Sequence, residues 1–160
     1  MGFGVTRAAT AGKVVQMVNT QTGAVATGTT VMPLDDTIPQ ITEGDQYMTL
    51  NITPNNASNI LFIQVVAFAS SSVLARLSVA LFVGSTANAL AVVSLTTRSG
   101  GEPVGQALNH RMVAGGTSAL TFRVRIGPGA AATTTFNGEA STRLFGGVAA
   151  SSITITEYTP

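Results

Sequence analysis

The chain has 160 residues, enough for one domain with a core of its own. It contains no cysteine, which excludes disulfides and thiolate metal sites. Only 9% of its residues are charged, and a net charge of +1 gives no electrostatic basis for binding nucleic acid.

An ordinary soluble domain is roughly 25% charged, so the scarcity needs a reason. A membrane-spanning helix requires about 18 or more consecutive apolar residues. The strongest run, Ile60–Ala69, falls well short of that and contains Gln64. The composition instead predicts a surface of Ala, Gly, Ser and Thr, part of it buried against other subunits. Obligate interfaces resemble a domain core cut in half. Residues 1–12 carry no apolar stretch of signal-peptide length. Small, polar and including Arg7, they predict an extended arm lying on a neighbouring subunit, with a frayed terminus as the alternative.

From Lys13 onward the chain reads as short strands and turns. Val14–Val18 is an apolar strand, and Asn19–Gly23 a turn. Ala24–Thr30 is rich in Ala and Thr, Val31–Leu34 is apolar, and Asp35–Pro39 is a polar bend. Glu43-Gly44-Asp45 makes a second turn. In the following segment Met48, Leu50 and Ile52 alternate with Tyr47, Thr49 and Asn51, the period of a strand with one dry face. Thr53-Pro54-Asn55-Asn56 is a strong loop signal. Ile60–Phe68 is the most hydrophobic strand, and its unbroken apolar character predicts burial on both faces and a central place. With Val73–Val83 it predicts a long hairpin. Ala89–Thr97 is a further strand, with a helical turn over Ala87–Val93 as the alternative. In Gln106–Ala114, Leu108, His110 and Met112 oppose Ala107, Asn109, Arg111 and Val113.

The C-terminal third is the clearest. Phe122, Val124 and Ile126 alternate with Thr121, Arg123 and Arg125 until Gly127-Pro128-Gly129 ends the strand. Thr133–Phe136 stops at Asn137-Gly138, Thr142–Phe145 stops at Gly146-Gly147, and Ser151–Thr156 alternates again. Short strands punctuated this closely mean an all-β fold, a jelly-roll sandwich or barrel of two packed sheets.

Little chemistry is on offer. His110 is the only histidine and Lys13 the only lysine. A histidine-based zinc site lacks partners, and His110 sits in a strand pattern with no nucleophile elbow nearby. Asp35-Asp36 is the only adjacent acid pair. Its flanking Pro33, Thr37 and Pro39 predict a bend or capping role, with a weak calcium site as the alternative. No phosphate-cradling glycine pattern is present. Arg123 and Arg125, on the polar face of their strand, predict solvated charge or pairing between subunits, with Glu139 or Glu157 as partners.

A resemblance runs along the chain. Val15–Ala24, Pro33–Gln40, Glu43-Gly44 and Tyr47–Leu50 are similar to a domain common in tailed-bacteriophage virion proteins. So are Ala80-Leu81-Phe82 with Ser85–Leu90, Thr121–Gly129, Thr133–Gly138, Arg143–Gly147 and Ser151–Glu157. The likeness covers Lys13 to Tyr158 and follows a dispersed pattern, not a catalytic motif. Such domains are tail-fibre heads or other virion-surface proteins, so the resemblance implies a homotrimeric jelly roll like the tumour-necrosis-factor-like fold. A fibre head ends a longer polypeptide with a shaft, whereas about a dozen residues precede the domain here. A short arm suits a stand-alone trimer that decorates a capsid.

The expectation is therefore an arm over residues 1–12 and one jelly-roll domain over residues 13–160. The protein would be a non-enzymatic cement protein on the virion surface, without cofactor, metal site or membrane insertion. Gly2, Phe3, Arg7 and Lys13 are the candidate contacts to the phage major capsid protein. Phe122, Arg123, Arg125, Phe136, Phe145 and Tyr158 are the candidate trimer interface. The alternative is a tail-fibre or spike tip that binds a host-surface receptor through Ser99–Gly105 and Gly115–Ser118. A surface hydrolase is disfavoured by the single histidine and the lack of carboxylates spaced for glycoside cleavage.

Overall fold

A computed structural model describes residues 12–160. The candidate contacts Gly2, Phe3 and Arg7 lie outside the described residues. Twelve strands follow in order: β1 (Val14–Thr22), β2 (Ala26–Gly28), β3 (Asp45–Ile52), β4 (Ile60–Ser71), β5 (Arg76–Val83), β6 (Ala91–Thr96), β7 (Pro103–Val113), β8 (Leu120–Pro128), β9 (Thr134–Phe136), β10 (Gly138–Glu139), β11 (Thr142–Arg143) and β12 (Ser151–Tyr158). The fold is an all-β jelly roll.

The first sheet runs β1-β12-β4-β9-β2, with β7 along the other side of β4. β12 and β9 lie end to end on one flank of β4, opposite Ile60–Val66 and Ala69–Ser71 respectively. The second sheet runs β3-β8-β5-β6. Every pairing is antiparallel. Between the sheets lie Leu61, Ile63 and Val65 of β4, Ile153 and Ile155 of β12, Leu77, Val79 and Leu81 of β5, and Phe122, Val124 and Ile126 of β8. In β8 and β12 these come from the apolar half of an alternating strand, so there the period-two pattern specifies which face is dry; in β4 and β5 the outward face carries apolar residues as well.

Two expectations change, and one alternative falls away. β4 and β5 do not form a hairpin: β4 pairs with β7, β9 and β12, and β5 with β6 and β8. The chain crosses from one sheet to the other between them. Their apolar faces then meet across the core instead of lying side by side, and alternation alone is the same in either arrangement. β4 is central, but one face only is buried along Ile60–Val66, with Gln64 and Val66 exposed. Over Ala87–Val93 there is a turn leading into strand β6, and no helix.

The apolar segment Val31–Leu34 is not a strand. Together with the residues up to Gly44 it is laid across the back of the second sheet. Met32 donates its N–H to the Pro128 carbonyl at 2.9 Å, Ile41 to Ala87 at 2.8 Å, and Ala89 to Pro39 at 2.9 Å. A second small core results, in which Met32, Ala80 and Phe82 are each 0% exposed with Ile41 and Ala89 packed against them.

Candidate functional site

Among the described residues, the back of the first sheet has no such cover. Its outward positions follow from register. Val14, Tyr158, Ile60 and Val113 form one row across four strands. The next row is Met17, Thr156, Phe62 and Arg111, then Asn19, Thr154, Gln64 and Asn109, then Gln21, Ser152, Val66 and Ala107. Met17 is 66% exposed, Val113 53%, Val14 51% and Val66 49%. Among the described residues of these strands, Arg111 is the only charged side chain at an outward position. At ordinary strand spacing and rise the face measures roughly 19 by 30 Å. That is roughly 570 Å², about two thirds of the ~800 Å² each partner gives to a standard interface.

At the lower end of this face lies a depression of about 490 Å³ lined by Gly12, Ile60, Phe62, Arg111, Tyr158, Thr159 and Pro160. Lys13 closes the adjacent corner: it is exposed, and its backbone exchanges hydrogen bonds with Thr159, N–H to Thr159 Oγ1 at 3.0 Å and carbonyl from Thr159 N–H at 2.9 Å.

Beneath the same end sits a buried carboxylate. Glu157 is 0% exposed. It accepts Gln16 Nε2 at 2.6 Å, Asn59 Nδ2 at 2.6 Å, and the backbone N–H of Asn55 at 2.9 Å and Asn56 at 3.4 Å. Burial pushes this carboxyl up, but the hydrogen bonds from Gln16, Asn59, Asn55 and Asn56 outweigh it and hold the group below its ordinary value. The carboxylate thereby ties the loop between β3 and β4 to β12.

The sequence-predicted interface residues separate. Phe122 is 0% exposed and Phe136 2% exposed, both inside the subunit's own core, so neither presents surface to a neighbour. Phe136 stacks on Tyr47 with ring centroids 4.9 Å apart. Arg125 donates Nε to the Glu43 carbonyl at 2.8 Å and a terminal nitrogen to the Gly44 carbonyl at 2.6 Å. Arg123 donates to the Gly84 carbonyl. These guanidinium groups pin turns of their own chain, and neither pairs with Glu157, whose partners are amides. Tyr158 does lie on the open face. Phe145 is 71% exposed, in a turn with Val148 at 84%, and holds a left-handed φ of 49°.

The remaining candidates are scattered. Asp35 accepts both the N–H and the hydroxyl of Thr37, at 2.9 and 2.5 Å, as a turn-capping residue does. Those two bonds hold its carboxyl below the ordinary range. Asp35 and Asp36 line a shallow depression with Ala89–Val92, away from His110. His110 points inward at the edge strand β7, opposite Ile63, and partial burial lowers its pKa. Among the described residues no three His, Asp or Glu side chains cluster as metal ligands. The loops Ser99–Gly105 and Gly115–Ser118 flank opposite ends of β7 (Pro103–Val113), roughly 30 Å apart, so they do not form one binding tip.

Sequence reasoning missed Met17, Phe62, Val66 and Val113 as site residues. The signal lies in β4, where the outward positions Ile60, Phe62 and Val66 are apolar too, a pattern that reads equally as double-sided burial.

No family model matches the chain, and no curated protein does. Among solved structures, Eiger TNF from S. frugiperda is similar at a TM-score of 0.48 and 9% identity, over 88% of this chain and 92% of that one. The enzymatically active domain of bacteriophage CBA120 tailspike protein 4 has a TM-score of 0.31 and 18% identity, over 78% of this chain and 19% of that one. The VP2 subviral particle of infectious bursal disease virus has a TM-score of 0.33 and 10% identity, over 99% of this chain and 41% of that one. Matches at this level carry no functional assignment.

Proposed function

We propose that this chain is a non-enzymatic structural protein of a phage virion surface, which self-associates as a homotrimer through the open face of the first sheet and decorates the capsid. One observation supports self-association above all: the back of one sheet is packed against the chain's own Val31–Gly44, while among the described residues nothing lies over the back of the other. The large apolar side chains Met17, Val14, Val66 and Val113, each about half exposed or more on one face, mark it as an interaction surface. Depletion of charge is the mark of an interface core. A second copy is the fitting occupant, because the face offers side-chain amides that can pair with one another about a three-fold axis and almost no charge for a charged partner to engage. The virion setting rests on the resemblance spread over Lys13–Tyr158.

Light scattering at micromolar concentration is expected to give a trimer mass. The variant Phe62→Asp/Val66→Asp is expected to give a folded monomer. A monomer mass for the wild-type chain overturns the proposal. Immunogold labelling of intact virions is expected to place gold over the head. Gold at the tail tip alone overturns decoration in favour of a tail-fibre or spike tip that meets a host receptor. That second possibility draws on one feature, the protruding Phe145–Val148 turn, the most exposed apolar point among the described residues.

A further inference from the structure

Across the middle of the open face runs a row of four polar side chains, where the rows on either side carry two each, Thr156 and Arg111 below and Gln21 and Ser152 above. Asn19, Thr154, Gln64 and Asn109 stand next to one another on β1, β12, β4 and β7. Asn19 Nδ2 is already engaged within the chain, donating to Thr154 Oγ1 at 2.7 Å and to the Ile153 carbonyl at 3.2 Å. Gln64 and Asn109 lie directly opposite each other and are exposed. Met17 and Phe62 lie below this row, and Val66 and Ala107 above it.

We infer that Gln64 and Asn109 form a polar rung that fixes the register and copy number of self-association across this face. The inference rests on the proposed homotypic interface. Each side-chain amide carries both donors and an acceptor, so amides of neighbouring copies can satisfy one another around a symmetry axis. When a second copy covers the face, these groups leave water and must be paired. A shift by two residues along β4 and β7 sets them against Phe62 and Arg111 or against Val66 and Ala107 instead, where Arg111 offers donors but no acceptor. Each amide left unpaired then weakens that arrangement by roughly 10- to 100-fold. The apolar side chains Met17, Phe62, Val66 and Ala107 supply area without direction. The rung supplies the direction, as a lone interfacial asparagine does in a coiled coil.

The test uses the full chain and exploits its lack of cysteine. Thr117→Cys, in the loop after β7 and off the face, carries a nitroxide label. The labelled wild-type chain is expected to show one native mass and one narrow spin–spin distance distribution. Gln64→Leu/Asn109→Leu in the same background is expected to associate at equal or lower concentration. It should give a broadened distance distribution or more than one mass. If the double variant keeps one mass and the narrow distribution, the rung is overturned and the face is not. If it becomes monomeric, the pair supplies affinity and not register, which also overturns the inference. If wild type and Phe62→Asp/Val66→Asp are alike monomeric, the interface itself is wrong and the rung falls with it.

Discussion

Replacing Glu157 should cost more stability than replacing any other acidic residue among the described residues. Its carboxylate is fully buried and accepts from Gln16, Asn59, Asn55 and Asn56. In Glu157→Ala, the Gln16 amide keeps its bond to the Thr53 carbonyl at 2.8 Å. Asn59, only 5% exposed, keeps no such substitute on Glu157's side. An orphaned buried donor costs about 1–3 kcal/mol, and hydrogen bonds to a charged group contribute about 1.5–3 kcal/mol. The expected loss is about 3–5 kcal/mol, from a total of about 5–15 for a domain. Glu157→Gln keeps the shape but turns an amide N–H₂ toward at least one donor, so it should fall in between.

The pH dependence carries a sign. The folded carboxyl lies below its ordinary value of 4.5, so as pH falls the unfolded chain protonates first. The contribution is complete above 4.5 and is lost as pH drops through the lower folded value. Urea unfolding of wild type, Glu157→Gln and Glu157→Ala, at one protein concentration because association adds stability, measures this at neutral and acid pH. The gap between wild type and Glu157→Gln should narrow on acidification. A Glu157→Ala loss under about 0.5 kcal/mol, the range of ordinary surface substitutions, refutes the reasoning. So does a gap that is the same at both pH values.

Two glycines separate strain from crowding. Gly44 and Gly84 hold similar left-handed φ of 61° and 60°, but a Cβ on Gly44 would meet Met32 Cε at 2.8 Å and the Ile126 carbonyl at 2.9 Å, while none lies within 4 Å of one on Gly84. Gly84→Ala should cost about 1 kcal/mol and Gly44→Ala at least about 2 kcal/mol by thermal unfolding; equal costs would refute the crowding account. Phe122→Ala should cost about 3–5 kcal/mol as a core cavity, yet leave the mass of whatever remains folded unchanged, the reverse of Phe62→Asp/Val66→Asp; a clean shift to monomer without loss of stability would return Phe122 to the interface. His110, its pKa lowered by burial, binds its proton less readily folded than unfolded, so stability should decline as pH falls through its ordinary value of 6.5 toward the folded value. His110→Gln should remove that portion of the decline, and an unchanged profile would show that the imidazole is not responsible.

Local residue order determined a good deal here. Alternation in β3, β8 and β12 marked which side chains go inside. The Gly, Pro and Asn clusters marked where strands stop, and the near absence of charge pointed to surface that water does not keep. Asp35 was legible as a turn residue because its partner Thr37 is two residues away. Tertiary structure alone decided which sheet each strand joins, since period-two alternation does not distinguish a hairpin partner from one across the core. For the same reason β4 read as buried on both sides: an apolar outward face has the same letters whether its cover is this chain or another. Arg123 and Arg125 reach carbonyls about forty and eighty residues away in the chain, and the acceptors of those bonds are backbone groups that every residue carries. Glu157 was invisible for a related reason, since its donors come from β1 and a loop some hundred residues upstream. Only the packing of β12 between β1 and β4 brings them to it.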